Sequence, residues 1–138
     1  MKQRVVLIIG ASSGIGLATA QKLADAGNVV YCGARTPCPD ERITSLEVDV
    51  TKPQTIVDAS EKILDETGRI DQLVYCAGYS MAAPVEFAEE KDYRYLFEVN
   101  FFGALAAIRA VLVHMRESGY GRIVLIGSMG GVLPIAYD

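Results

Sequence analysis

A chain of 138 residues, 51% apolar and 22% charged, has enough apolar material for one buried core and too little length for two. Its 17 acidic residues outweigh 13 lysines and arginines, giving a net charge of −4 with no basic cluster, so a nucleic-acid partner is not expected. Three cysteines, Cys32, Cys38 and Cys76, are odd in number and match no metal spacing, which predicts reduced thiols in a cytoplasmic protein and no metal site.

In chain order, the first apolar run, residues 5–9 within "RVVLIIG" (4–10), is far too short to span a membrane and lacks a cleavage region, so it reads as a strand and no membrane partner is expected. Helical spacing over 14–26 places Ile15, Ala18, Thr19, Leu23 and Ala26 on one side. "VVYCGA" (29–34) predicts a second strand. The link "RTPCPDER" (35–42) carries two prolines and leaves little room for a helix, so an irregular crossover, or at most one helical turn, is expected. "ITSLEV" (43–48) predicts a third strand, and a helix over 54–67 follows with Ile56, Val57, Ile63 and Leu64 on one side. "QLVYCAG" (72–78) predicts a fourth strand. A long helix over 89–117 then runs through Leu96, Phe97, Asn100, Phe101, Ala104, Ile108, Val111, Leu112 and Met115, and "RIVLIGS" (122–128) supplies a fifth strand. Runs read as apolar throughout predict strands covered on both faces. Strands alternating with helices predict an α/β fold: one Rossmann-like parallel sheet with helices on both faces, spanning 1–138 as a single domain. His114, the only histidine, sits late in the long helix and reads as a helix-end cation or surface residue, not a catalyst.

The strongest local motif is "GASSGIG", placed strand–turn–helix. Gly10, Ser12, Ser13, Gly14, Ile15 and Gly16 form a turn that lets backbone approach a pyrophosphate, while the helix start offers unpaired N–H groups and a positive dipole end. The second strand ends "CGAR". Arg35 stands where an acidic residue would bond the ribose hydroxyls of NAD, and an arginine there accommodates a 2′-phosphate, so NADP is favoured over NAD.

Further along, "DVT" (49–51), "CAG" (76–78), "VN" (99–100) and "GSMGG" (127–131) follow the glycine loop in order. With that loop, the series resembles the N-terminal portion of a short-chain dehydrogenase/reductase, and the resemblance covers essentially the whole chain. It implies hydride transfer between a nicotinamide and a small-molecule carbonyl or alcohol. Asp49 and Val50 would hold the adenine, and Cys76, Ala77 and Gly78 would stand against the cofactor, with Cys76 in the place of the family's usual asparagine. Asn100 would hold water in a proton relay, and Ser128 would orient the substrate oxygen. From the residues alone, Asp49 could instead cap the next helix, although Thr51 and Pro53 are better placed for that. An amide at Asn100, among apolar neighbours, is expected to be hydrogen-bonded under any reading.

The family's catalytic tyrosine follows the serine by about a dozen residues, with a lysine four further on. This chain ends before either position, and Tyr137 is too close to Ser128 to be that tyrosine. The resemblance therefore implies a domain incomplete at its C-terminus, truncated after the fifth strand and inactive alone, from a parent that is a homo-oligomer. The last strand would be an edge, and the apolar face of residues 93–115 would lack its companion helix. The alternative is a non-catalytic NADP(H)-binding module or partner subunit. A Rossmann-like methyltransferase is disfavoured by Arg35. Met81, Val85, Leu133 and Pro134 hint at an apolar substrate.

Overall fold

Residues 3–133 are described by a computed structural model; Pro134 and Tyr137 lie outside them. Five strands pair in parallel in the order β3-β2-β1-β4-β5. They are β1 (Val5–Ile9), β2 (Val29–Ala34), β3 (Thr44–Glu47), β4 (Gln72–Tyr75) and β5 (Arg122–Leu125). Helix α1 (Gly14–Asp25) joins β1 to β2, and α2 (Pro53–Thr67) carries the chain from β3 back across the sheet to β4. The last crossover holds α3 (Glu90–Phe97), a π-helical turn (Glu98–Phe102) and α4 (Gly103–Glu117). This is the Rossmann-like α/β architecture that the alternation of elements predicts.

Every residue of β1 is buried, because the strand lies mid-sheet with a helix layer on each side. Alternate side chains divide between the layers. Val5, Leu7 and Ile9 join Tyr31, Leu73 and Tyr75 under α2 and α4, while Val6 and Ile8 join Val30, Cys32 and Val74 under α1. Fully burying each aliphatic side chain contributes about 1.5–3 kcal/mol, so this strand is the spine of the core. Its start is tied by Asp71, a buried carboxylate that accepts from the Val5 N–H at 2.8 Å and from Arg69 Nε at 3.1 Å.

Three expectations are corrected. The buried face of α1 is Gly16 and Ala20, flanked by the partly buried Leu23 and Ala24, whereas Ile15 is 65% exposed and Ala18 and Ala26 are exposed. The helix starts so close to the end of β1 that a Cβ on Gly16 would collide with the Gly10 carbonyl oxygen. Nor are all strands covered on both faces. Edge strand β3 buries only Leu46, and at the other edge Val124, Leu125 and Ile126 are 38%, 50% and 42% exposed. The long helix expected over 89–117 is interrupted by the π-turn. Ala104, Ala107, Val111 and Met115 of α4 pack into the core, while Phe97, Phe101, Phe102, Leu105 and Val113 are exposed. The run Glu90–Glu117 is long and apolar enough to cross a membrane by length and composition, yet in this fold one face of it packs on the sheet and α2.

The crossover from β2 to β3 contains no helix, as its prolines predict. Arg42 holds it instead, donating to both oxygens of Asp40 (Nε to Oδ1 3.0 Å, Nη2 to Oδ2 2.7 Å) and to Asp25 at 2.7 Å. The Arg42 hydrogen bonds draw the Asp40 carboxyl down to about 2. A depressed folded-state value stabilises the fold above the ordinary carboxylate range near 4, and the contribution is lost as pH falls through about 2. The wild type is therefore expected to melt above Asp40→Asn at neutral pH, with the gap closing as pH falls from about 4 to 2. A gap that is independent of pH in scanning calorimetry would contradict this.

Candidate functional site

The chain runs from β1 outward through β2 to β3, then returns to the opposite side of β1 for β4. Ligands of open α/β sheets bind in the crevice opened by such a reversal, beyond the carboxyl ends of the strands. A cleft of about 650 Å³ occupies this place. Gly10, Ser12, Ser13, Gly14, Ile15 and Gly16 line it, with Arg35 from the end of β2, Asp49 and Val50 after β3, and Cys76, Ala77 and Gly78 after β4.

The glycine loop is shaped by close packing. Gly10 has φ +86°, and a Cβ there would stand 2.5 Å from the Ala77 nitrogen; a Cβ on Gly16 would collide with the Gly10 carbonyl oxygen. These approaches allow the loops after β1 and β4 to share hydrogen bonds. The N–H groups of Cys76 and Ala77 both donate to the Ile9 carbonyl, at 2.8 and 3.0 Å.

Helix α1 begins at the loop with nothing to neutralise its positive end among the described residues. Its first turn has no acidic residue, and Ser13, the N-cap, is extended and makes no side-chain capping bond. The Leu17 N–H bonds back to the Ser13 carbonyl at 3.0 Å, so the N–H groups ahead of it in the first turn have no helical partner. Free N–H groups, a free hydroxyl and a positive dipole end form a seat for an anion.

At the far side of the cleft, Arg35 is exposed and makes no ion pair among the described residues. Asp49 is the only carboxylate in the lining. Its Oδ1 accepts from the Thr51 Oγ1 at 2.7 Å and the Thr51 N–H at 3.0 Å, and Lys52 Nζ lies 3.5 Å from Oδ2. The Thr51 hydroxyl, above all, holds the Asp49 carboxyl below the usual range, so it is an acceptor at neutral pH. Neither Asp49 nor Thr51 caps α2: Lys52 is the N-cap residue, without a side-chain bond, and Pro53 opens the helix. Burial pushes the Cys76 thiol up, which keeps it protonated and unsuited to act as a nucleophile.

Among the lining residues outside the predicted cofactor-binding set are three from the loop after β4 and the long helix. Tyr79 and Tyr95 meet edge to face, with ring centroids 5.0 Å apart, and Val99 lies beside them. The signal available in the sequence was the four-residue spacing of Tyr95 and Val99 just before Asn100, which places them on one helix face.

Asn100 and Ser128 do not line the cleft. Asn100 Oδ1 accepts from the Tyr79 N–H at 2.8 Å and its Nδ2 donates to the Tyr79 carbonyl at 2.7 Å. Ser128 lies on an exposed turn after β5, where its Oγ accepts from the Gly130 N–H at 3.1 Å. His114 lies 3.8 Å from Glu117 near the end of α4. No cluster of metal-ligating side chains occurs among the described residues.

Comparison with known proteins gives these features a context. Residues 4–137 match the family model for short chain dehydrogenases. The chain is 39% identical over 139 residues to 3-ketodihydrosphingosine reductase of Bacteroides thetaiotaomicron, an alignment covering 100% of this chain and 52% of that protein. Among solved structures, a short-chain dehydrogenase from Streptomyces avermitilis superposes with a TM-score of 0.91 at 35% identity, covering 99% of this chain and 53% of that one. ElxO with NADP bound superposes with a TM-score of 0.91 at 26% identity, covering 99% and 60%. The chain spans about half the length of the curated relatives it matches.

Proposed function

The chain belongs to the short chain dehydrogenase family, and on that premise we propose that it is the dinucleotide-binding portion of an NADP-dependent oxidoreductase acting on a small-molecule carbonyl or alcohol. The observation that carries the cofactor reading is the contrast along one cleft: an anion seat at the start of α1, and an exposed, ion-pair-free Arg35 where NAD binders place a carboxylate.

The residues present fit the group. Backbone of residues 10–16 and the start of α1 would hold the pyrophosphate, Arg35 the 2′-phosphate, and Asp49 with Val50 the adenine. Backbone of residues 76–78 would flank the nicotinamide ribose. When bound, NADP supplies or takes up the hydride; position and protons fall to the protein. By resemblance, Ser128 takes the substrate oxygen and Asn100 belongs to the proton relay. We place the protein in the reducing cytoplasm, in keeping with its three free thiols, and propose that the full-length enzyme is a homo-oligomer, in keeping with the exposed apolar face of α4.

The test of the cofactor reading is a pair of titrations. A charge-assisted contact contributes about 1.5–3 kcal/mol, so Arg35→Ala is expected to weaken NADPH binding about 10–100-fold. NADH binding should change about twofold or less, since it lacks the phosphate that the arginine meets. Equal losses for both nucleotides would remove Arg35 from the phosphate.

A further inference from the structure

The interruption of the long helix has a chemical cause. In an α-helix the Gly103 N–H would bond the carbonyl four residues back, at Val99; here it bonds the one five back, at Glu98. That leaves the Val99 carbonyl without its helical donor on a residue only 5% exposed, where an unpaired acceptor is costly. The donor that replaces it comes from the sheet: the Tyr75 hydroxyl, at the end of β4, donates to the Val99 oxygen. Gly103 makes room for this, since a Cβ there would stand 2.5 Å from Tyr75 Oη.

The consequence reaches the cleft. The Val99 carbonyl and the Asn100 N–H belong to one rigid peptide plane, so fixing the carbonyl orients the residue that follows. Asn100 in turn grips Tyr79 through both its donor and its acceptor. Tyr75 and Tyr79 bracket residues 76–78, the wall of the cleft after β4. That wall is therefore staked at both ends to the same turn of helix, at one end by a phenol and at the other by an amide.

We propose that Tyr75 is a positioning residue for the cleft: its bond to Val99 holds the π-turn, and through Asn100 it sets the backbone of residues 76–79 against the nicotinamide half of the cofactor. Burial pushes the Tyr75 phenol up to about 12, so it stays a donor throughout the neutral range. The bearing on the cofactor rests on the dinucleotide reading above, whereas the clamp itself does not.

The test combines residue-resolved amide hydrogen exchange on the unliganded full chain with titrations of NADPH and of adenosine 2′,5′-bisphosphate, which fills only the far half of the cleft. Loss of one hydrogen bond corresponds to about tenfold, so Tyr75→Phe is expected to speed exchange of the Tyr79 amide about tenfold, as Asn100→Ala does directly. The amides of β1 and α1 should keep their protection. NADPH should bind about tenfold more weakly, and the bisphosphate as before. If Tyr75→Phe does not fold, Gly103→Ala keeps the phenol but crowds its oxygen, and the same pattern is expected. The proposal is overturned if the Tyr79 amide is unchanged in these variants while Asn100→Ala accelerates it, or if acceleration spreads equally over β1 and α1. Failure of the unmodified chain to bind either nucleotide would instead remove the dinucleotide reading, with the exchange comparison still deciding on the clamp.

Discussion

Gly16→Ala is expected to leave a chain that melts about 10 °C lower and binds NADPH at least about 100-fold more weakly. The atoms that a Cβ would strike are backbone: the Gly10 oxygen, with the Gly10 carbonyl carbon 2.8 Å and the Ala11 Cα 2.9 Å away. Neither side can yield cheaply. Gly10 is tied to β2 by its N–H on the Gly33 carbonyl at 2.8 Å, and Ala11 is fully buried. Overpacking costs about 1–3 kcal/mol even where side chains can adjust, so the upper end of that range applies. To relieve the clash, α1 must lift from the end of β1, carrying its first-turn N–H groups away from the anion seat, and stability and affinity fall together. Scanning calorimetry and a fluorescence titration check both, and a variant that melts like the wild type and binds like it would refute the packing account.

Residues 1–138 are expected to bind NADPH and turn over no carbonyl substrate. A phenol serves as general acid or base near neutral pH only if a neighbouring cation lowers its value from about 10. Tyr75 and Tyr31 move the other way: burial is the main cause in both, the Tyr31 phenol also donates to Glu66, and each is pushed up to about 12. Losing positioned acid–base assistance alone removes about 10²–10⁴ of rate. Binding without NADPH oxidation, followed by absorbance, is the expected result. Oxidation within about a hundredfold of a related full-length reductase would show that a different group moves the proton.

How much of this could be read from the residues depends on how local the cause is. The glycine loop was legible because strand, turn and helix start lie within a dozen positions, although the packing that demands glycine at position 10 comes from Ala77, far along the chain. Arg35 was legible as a single residue at a defined strand end. The buried face of α1 was not: periodicity favoured Ile15, but what decides the face is how closely the helix approaches Gly10, and Ile15 ends up beside the cleft. The exposure of β5 was not legible in its own apolar run, which reads as a covered strand; it followed only from the resemblance, which makes the last strand an edge, because coverage belongs to the neighbours of a strand. The π-turn was the least legible feature. Nothing in "EVNFF" breaks an α-helix; the break comes from a hydroxyl 24 residues earlier in the chain. For the same reason Asn100 could be identified as a residue needing a partner, while the partner, Tyr79, could not.

The place of β1 in the sheet also shapes how the protein is made. One neighbour, β2, follows closely, but the other, β4, pairs Gln72 with Val6, so the second edge of β1 waits for chain 66 residues further on. At a synthesis rate of about 5–20 residues per second that delay is roughly 3–13 s. Once β2 has been made, and until β4 follows, the most apolar pentapeptide of the core has one edge unpaired, the kind of edge most open to wrong pairing during synthesis.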